Sequence, residues 1–228
     1  MVSLTVLIVF ATGGRASTIN LTRQLIGHSV RGRAIYAYES GDPLGSTVLV
    51  VGSIHGNEPA GIAVARRLLK TQPPEGVDLW VIPDLNPDGH ATNTRQNAHG
   101  VDLNRNFPWR WRHLKGVFYS GRHSLSEPES RAAYRLIRKV QPLVSIWFHQ
   151  PLGVVGISKS PPSALESRFA RLSGLPLQLL PFYPGSAASW ENQTIRGSRA
   201  FVVELPAGKI SASEIDRYTR AVMGVSSG

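Results

Sequence analysis

The spacing of apolar and polar positions along this chain changes repeatedly, and each change predicts an element. Residues 47–54 (TVLVVGSI) form an unbroken apolar run, as a strand buried on both faces requires. Residues 78–82, 143–148 and 201–205 repeat that signature, and residues 152–157 predict one more strand. Residues 31–39 (RGRAIYAYE) alternate in type and predict a strand near a sheet edge, ended by Gly41-Asp42-Pro43. Residues 59–70 predict a helix with proline in its first turn and basic residues in its last. Residues 127–140 are amphipathic with Ser126 as N-cap, and 163–172 predict another helix. Residues 211–223 close the series, with Ser211 and Glu214 spaced as a capping box. A long irregular stretch, roughly residues 83–125, is rich in Asn, Gly, Arg and Trp. Such a segment inside a compact domain is usually functional.

Alternating strands and helices without repeats or low-complexity linkers predict a single α/β domain on a mixed, mostly parallel sheet. The length of 228 residues suits one large domain. In such sheets ligands bind beyond the carboxyl ends of central strands, so polar residues there merit scrutiny. Residues 4–11 (LTVLIVFA) are too short an apolar run to span a bilayer. Residues 1–16 read either as a secretory signal, with Gly14 and Ala16 placed for cleavage, or as a first strand, and residues 17–228 as the single α/β domain. Exported and cytoplasmic locations both stay open.

Composition narrows the chemistry. The chain has no cysteine, which excludes disulfides, thiolate zinc sites, iron–sulfur clusters and cysteine nucleophiles. Any metal must be held by His, Asp or Glu. Lys and Arg number 25 against 15 Asp and Glu, a formal charge of +10. That surface suits contact with anionic wall polymers, or is simply a solvated basic face. The arginines are scattered rather than interleaved with aromatics, so no nucleic-acid partner is expected.

Four constellations can carry chemistry. His55-Gly56-Asn57-Glu58 follows a buried strand, and a His and a carboxylate in that turn can converge on one divalent ion, although the same spacing occurs in ordinary surface pairs. His149 ends another apolar strand; with His55 and Glu58 it would make the three-ligand set of a catalytic zinc site with a position open. Glu204 ends the strand 201–205, where a carboxylate needs a salt-bridge partner or a task such as general base. The loop from Asn86 to Pro108 carries Arg95 and Arg105 among several amides, a set suited to gripping a carboxylate.

The order of H-x-x-E at 55–58, N-P-D-G at 86–89, G-V-D-L-N-R-N-F at 100–107, a strand-end His149 and a strand-end Glu204 resembles the zinc carboxypeptidases of family M14. Residues 95–108 and Ser124-Leu125-Ser126-Glu127-Pro128-Glu129 resemble its murein peptide amidase branch. The resemblance covers roughly residues 25–225 and implies a three-layer α/β/α fold. It implies one zinc ion held by His55, Glu58 and His149, Glu204 as general base, and Arg95 polarising the scissile carbonyl. Asn104 and Arg105 match the pair that grips the free carboxylate, and Tyr183 falls near the family's mobile-loop tyrosine, with a short spacing to Trp190. Asn57 stands where relatives often carry Asp, which is expected to alter hydrogen bonding around the ligands. The implied activity is hydrolysis of the amide before a terminal residue, foremost γ-D-Glu–meso-diaminopimelate in murein peptides. A general carboxypeptidase, an N-acyl-amino-acid deacylase and a non-catalytic polyanion-binding module are the alternatives.

Overall fold

The computed structural model describes residues 3–12 and 15–226, with side chains from residue 19 onward. Gly14, read above as a candidate cleavage position, lies outside the described residues. Among the described residues nine strands form one sheet: β1 (Ser3–Thr12), β2 (Arg15–His28), β3 (Ala34–Gly41), β4 (Ser46–Val51), β5 (Val77–Ile82), β6 (Val144–His149), β7 (Leu152–Ile157), β8 (Leu177–Leu179) and β9 (Arg199–Pro206). Their spatial order is β1-β2-β3-β5-β4-β6-β9-β7-β8. The middle, β5-β4-β6-β9, is parallel, and antiparallel pairs flank it at β3–β5 and β9–β7.

Among the described residues there are six α-helices: α1 (Ala60–Leu68), α2 (Pro87–Thr92), α3 (Pro128–Val140), α4 (Ala164–Ser173), α5 (Ala187–Thr194) and α6 (Ala212–Ser226). The alternation of β4 divides the core. Val48 and Val50 join Leu68, Phe169 and Tyr218 of α1, α4 and α6, whereas Leu49 and Val51 join Leu136, Ile137 and Trp190 of α3 and α5. The result is the three-layer α/β/α arrangement. Strands buried on both faces explain why the central runs lack any polar alternation.

Three local expectations need correction. Residues 31–39 were expected near an edge, but β3 lies third in the sheet because β1 and β2 extend beyond it. Ser126 does not cap α3: Glu127 holds the N-cap position, and the Ser126 hydroxyl donates to Glu127 Oε1 at 2.6 Å. Pro59 is the N-cap of α1 rather than a residue of its first turn. The capping box at Ser211 is present, with Glu214 Oε2 2.7 Å from the Ser211 N–H. Among the described residues no helix is long and apolar enough to cross a membrane.

Candidate metal centre and active site

Three buried side chains meet at the carboxyl ends of β4 and β6. His55 and Glu58 stand in the turn between β4 and α1, and His149 is the last residue of β6. His55 Nδ1 lies 2.9 Å from Glu58 Oε1, and His149 Nδ1 lies 2.9 Å from Glu58 Oε2. The two Nδ1 atoms are 3.1 Å apart. Two imidazole nitrogens and a carboxylate aimed at one point bring together lone pairs with too few protons between them, a donor set that suits a divalent cation. Ligand atoms around a tetrahedral ion with bonds of about 2.0 Å stand roughly 3.3 Å apart, within a few tenths of this spacing. The residues fit zinc.

The backbone that brings them together is held by close contact. A Cβ on Gly56 would stand 1.9 Å from the backbone carbon of Gly89, so the turn bearing two of the three residues packs directly on α2. Asn57, expected to alter hydrogen bonding around the ligands, is exposed instead. The carboxylate that orients His55 is Asp102. Its Oδ1 accepts from His55 Nε2 and from the Asn104 backbone N–H, each at 2.9 Å, and its Oδ2 accepts from Arg95 Nε at 2.9 Å. A proton on Nε2 leaves the Nδ1 lone pair facing the centre. Burial pushes the Asp102 carboxyl up, but His55, Arg95 and Arg105 outweigh it and hold the group well below the usual carboxylate range. Burial likewise opposes ionisation of Glu58, and its hydrogen bonds with His149 and His55 win, holding it well below that range too.

Gln150 is a second residue that sequence reasoning missed. Its backbone N–H donates to Glu58 Oε2 at 3.2 Å, its Oε1 accepts from the Ala60 N–H at 3.0 Å, and its Nε2 donates to the carbonyls of Pro206 and Gly208 at 2.7 and 2.9 Å. It thereby ties the ends of β6 and β9 to the start of α1.

Glu204 is the register partner of His149 across the β6–β9 pair. Its Oε2 is buried without a hydrogen-bond partner. Burial raises its pKa; the nearby His149 opposes that rise and Glu58 reinforces it. A carboxylate with a free oxygen and a raised proton affinity, beside a cation site, can take up and return a proton.

The remaining candidates line the same cavity of about 340 Å³. Arg95 donates to Glu58 Oε1 at 3.1 Å as well as to Asp102. Arg105 is buried, with its guanidinium 4.3 Å from the centroid of Tyr183 and 5.4 Å from that of Phe118. Phe118, which sequence reasoning passed over, also lies 5.6 Å from the Arg95 guanidinium. Asn104 Oδ1 accepts from the Ala187 N–H at 2.9 Å, which sets its Nδ2 3.4 Å from His149 Nε2. Gly185, at φ 73°, would place a Cβ 2.2 Å from the Arg105 carbonyl oxygen, so the loop bearing Tyr183 packs on the Arg105 backbone. The Arg95–Arg105 loop is fastened to the start of α3 through Asn97, whose Nδ2 donates to Glu127 at 2.8 Å and Glu129 at 3.0 Å.

All eight residues singled out from the sequence therefore border one cavity. Asp102 was missed although it was visible as a carboxylate between Val101 and Leu103, two apolar residues that the fold buries.

Comparison with known proteins agrees with this geometry. Residues 15–155 match the zinc carboxypeptidase family. Murein peptide amidase A of Escherichia coli K12 is 34% identical over 158 residues, covering 62% of this chain and 64% of that relative, so the match spans less than two thirds of the relative's length. The Vibrio campbellii protein of the same name is 31% identical over 202 residues, covering 82% of this chain and 80% of the relative. The crystal structure of murein-tripeptide amidase MpaA from E. coli O157 superposes with a TM-score of 0.74 at 28% identity, covering 88% of this chain and 90% of that one. Bovine thrombin-activatable fibrinolysis inhibitor, 18% identical with a TM-score of 0.77 over 91% of this chain and 89% of its own, shares the fold.

Proposed function

This chain belongs to the zinc carboxypeptidase family, and from that premise we propose that it hydrolyses the amide bond before a terminal residue with a free carboxylate, its substrate being the γ-D-Glu–meso-diaminopimelate bond of murein peptides. One observation carries the reading: a three-residue cation site, a carboxylate with an unpartnered oxygen and two guanidinium groups border one cavity. The murein peptide comes from the relatives named murein peptide amidase A and from the similarity to the MpaA structure.

His55, Glu58 and His149 would hold the zinc ion, which when bound supplies Lewis acidity that polarises a carbonyl and eases deprotonation of water. Arg105 pairs with the free carboxylate of the terminal residue, and Asn104 borders the same position. The ring faces of Tyr183 and Phe118 keep the Arg105 guanidinium oriented while it is desolvated. Glu204 takes the proton of the attacking water on Oε2 and returns it to the departing amine. Arg95, held at Nε by Asp102 and at Nη1 by Glu58, keeps Nη2 for the oxyanion that forms on the scissile carbonyl. No covalent acyl intermediate is needed, since the water deprotonated by Glu204 is itself the attacking group.

Mass spectrometry of L-Ala-γ-D-Glu-meso-diaminopimelate after incubation with the zinc-loaded protein tests the proposal, with an α-linked peptide alongside. Release of free diaminopimelate is the expected result. Cleavage of the α-linked peptide alone would transfer the protein to the general carboxypeptidases.

A further inference from the structure

One fully buried carboxyl takes no part in the chemistry proposed above. Glu191 lies on α5, facing away from solvent. Its Oε1 accepts from the hydroxyl of Ser145 on β6 and, at 2.9 Å, from that of Ser198 in the turn before β9. Its Oε2 accepts from the Trp147 indole N–H at 3.3 Å. One side chain thereby pins α5 to β6, which ends in His149, and to the approach of β9, which bears Glu204.

The opposite face of α5 forms part of the cavity. Ala188, Ser189 and Asn192 line it, while Ala187, Trp190 and Glu191 are buried on the other side, as a period of 3.6 residues requires. The Ala187 N–H donates to Asn104 Oδ1 at 2.9 Å, and Asn104 stands 3.4 Å from His149 Nε2 and precedes Arg105 in the chain. At the other end the Asn192 amide accepts from the Ala200 N–H at 2.8 Å and donates to the Ala200 carbonyl at 2.7 Å. A helix of 8 residues is unstable in isolation, so these contacts set its place. Where α5 rests fixes one wall of the cavity and the amide beside Arg105.

The groups that hold Glu191 carry no charge. Ser145 and Trp147 face it from β6 and Ser198 from the turn, and α3 meets α5 through the Tyr134 ring, 4.8 Å from that of Trp190. His149 and Glu204, the titratable residues at the ends of β6 and β9, line the cavity, and Arg196 and Arg199 on either side of Ser198 are exposed. Burial therefore dominates and pushes the carboxyl up to about 7. We infer that Glu191 is a positioning residue for substrate binding: as a neutral carboxyl it seats α5 against β6 and β9, and its ionisation releases that wall of the cavity. The proton passes to solvent and no other bond changes. The inference rests on the proposed hydrolysis for its kinetic signature only. With binding confined to the neutral form, the competent fraction falls from about nine tenths at pH 6 to about 3% at pH 8.5. KM then rises by as much as about thirtyfold over that interval, whereas kcat, a property of the bound state, changes little.

The test uses the zinc-loaded full chain as parent, Glu191→Gln and Glu191→Ala. The substrate is L-Ala-γ-D-Glu-meso-diaminopimelate, or the α-linked peptide should that alone be cleaved. Glutamine keeps the size and hydrogen-bonding capacity of the side chain without the charge. Its KM is expected to stay level between pH 6 and 8.5 while that of the parent rises at least about fivefold. Alanine is expected to raise KM at every pH with no step near 7. A flat parent KM, or a rise that persists in Glu191→Gln, overturns the inference. Tryptophan fluorescence gives a readout without turnover, because the Trp147 indole touches the titrating group. The parent is expected to show a one-proton step near pH 7 that Glu191→Gln lacks, and the same step in both proteins overturns the assignment. That measurement decides on Glu191 even where neither peptide is cleaved, so failure of the hydrolysis and failure of the inference are read separately.

Discussion

His149 and Glu204 are direct partners in the parallel pairing of β6 and β9, so a candidate cation ligand and a candidate proton carrier are positioned by the same ladder of backbone hydrogen bonds. A change to the Glu204 side chain therefore need not disturb His149, whose place is set by β6. Glu204→Gln is expected to keep its full complement of zinc by elemental analysis while kcat falls by about 10²–10⁴, the usual weight of a positioned acid–base group. Full activity in that variant would remove Glu204 from the mechanism.

Asp102→Asn is expected to act at two places, because one oxygen faces His55 and the other faces Arg95. The amide can satisfy only one of these two donors. Zinc affinity, read by competition with a chelator, should drop by about 10–100-fold, as for other partners of metal-bound histidine. His149→Ala removes a ligand outright and should leave little zinc after gel filtration. Retention of stoichiometric zinc there would refute the ligand set.

The pH dependence of stability is expected to carry the mark of Glu191. Burial pushes this carboxyl up to about 7, against the pull of Ser145, Ser198 and Trp147, all of which donate to it. Its folded-state pKa is higher than the ordinary value of 4.5, so below about pH 4.5 both states are protonated and its stabilisation is complete. As pH rises through about 7 the unfolded chain ionises first, and roughly 3 kcal/mol is lost. Glu191→Gln places its NH₂ against the serine hydroxyls, which can rotate to accept, and its carbonyl against the Trp147 N–H. Denaturant midpoints between pH 4.5 and 7.5 should fall less steeply in the variant than in the parent. Parallel slopes would rule the effect out.

Gly56→Ala is expected to destabilise the fold by several kcal/mol, since the new methyl would overlap the backbone of Gly89 and neither chain segment can yield alone. A shift in urea midpoint without a change in slope is the measurement. A neutral substitution would mean that the turn and α2 can separate.

Legibility in the sequence followed burial. His55, His149 and Glu204 stood out because each follows or ends an apolar run, and polar residues at such places need a purpose. β2 did not stand out: its sequence RASTINLTRQLIGH mixes residue types with neither an apolar run nor a steady alternation, and its place in the sheet comes from pairing with β1 and β3. Without it, β3 looked like an edge. Asp102 and Gln150 act through partners distant in the chain, His55 for one and Pro206 and Gly208 for the other, which no local spacing encodes. Glu191 sits on α5 (AASWENQT), too polar for its inward face to be recognised.

The two-sided grip of Asp102 also has a thermodynamic consequence. A cation that fixes His55 fixes Asp102, and Asp102 fixes Arg95, so occupancy of the cation site and occupancy by a carbonyl ligand are linked equilibria. Linkage is reciprocal: whatever factor the cation adds to the affinity for a bound carbonyl compound, that compound adds to the affinity for the cation. A substrate analogue should therefore slow extraction of zinc by a chelator, and by a smaller factor once Asp102 is replaced by asparagine.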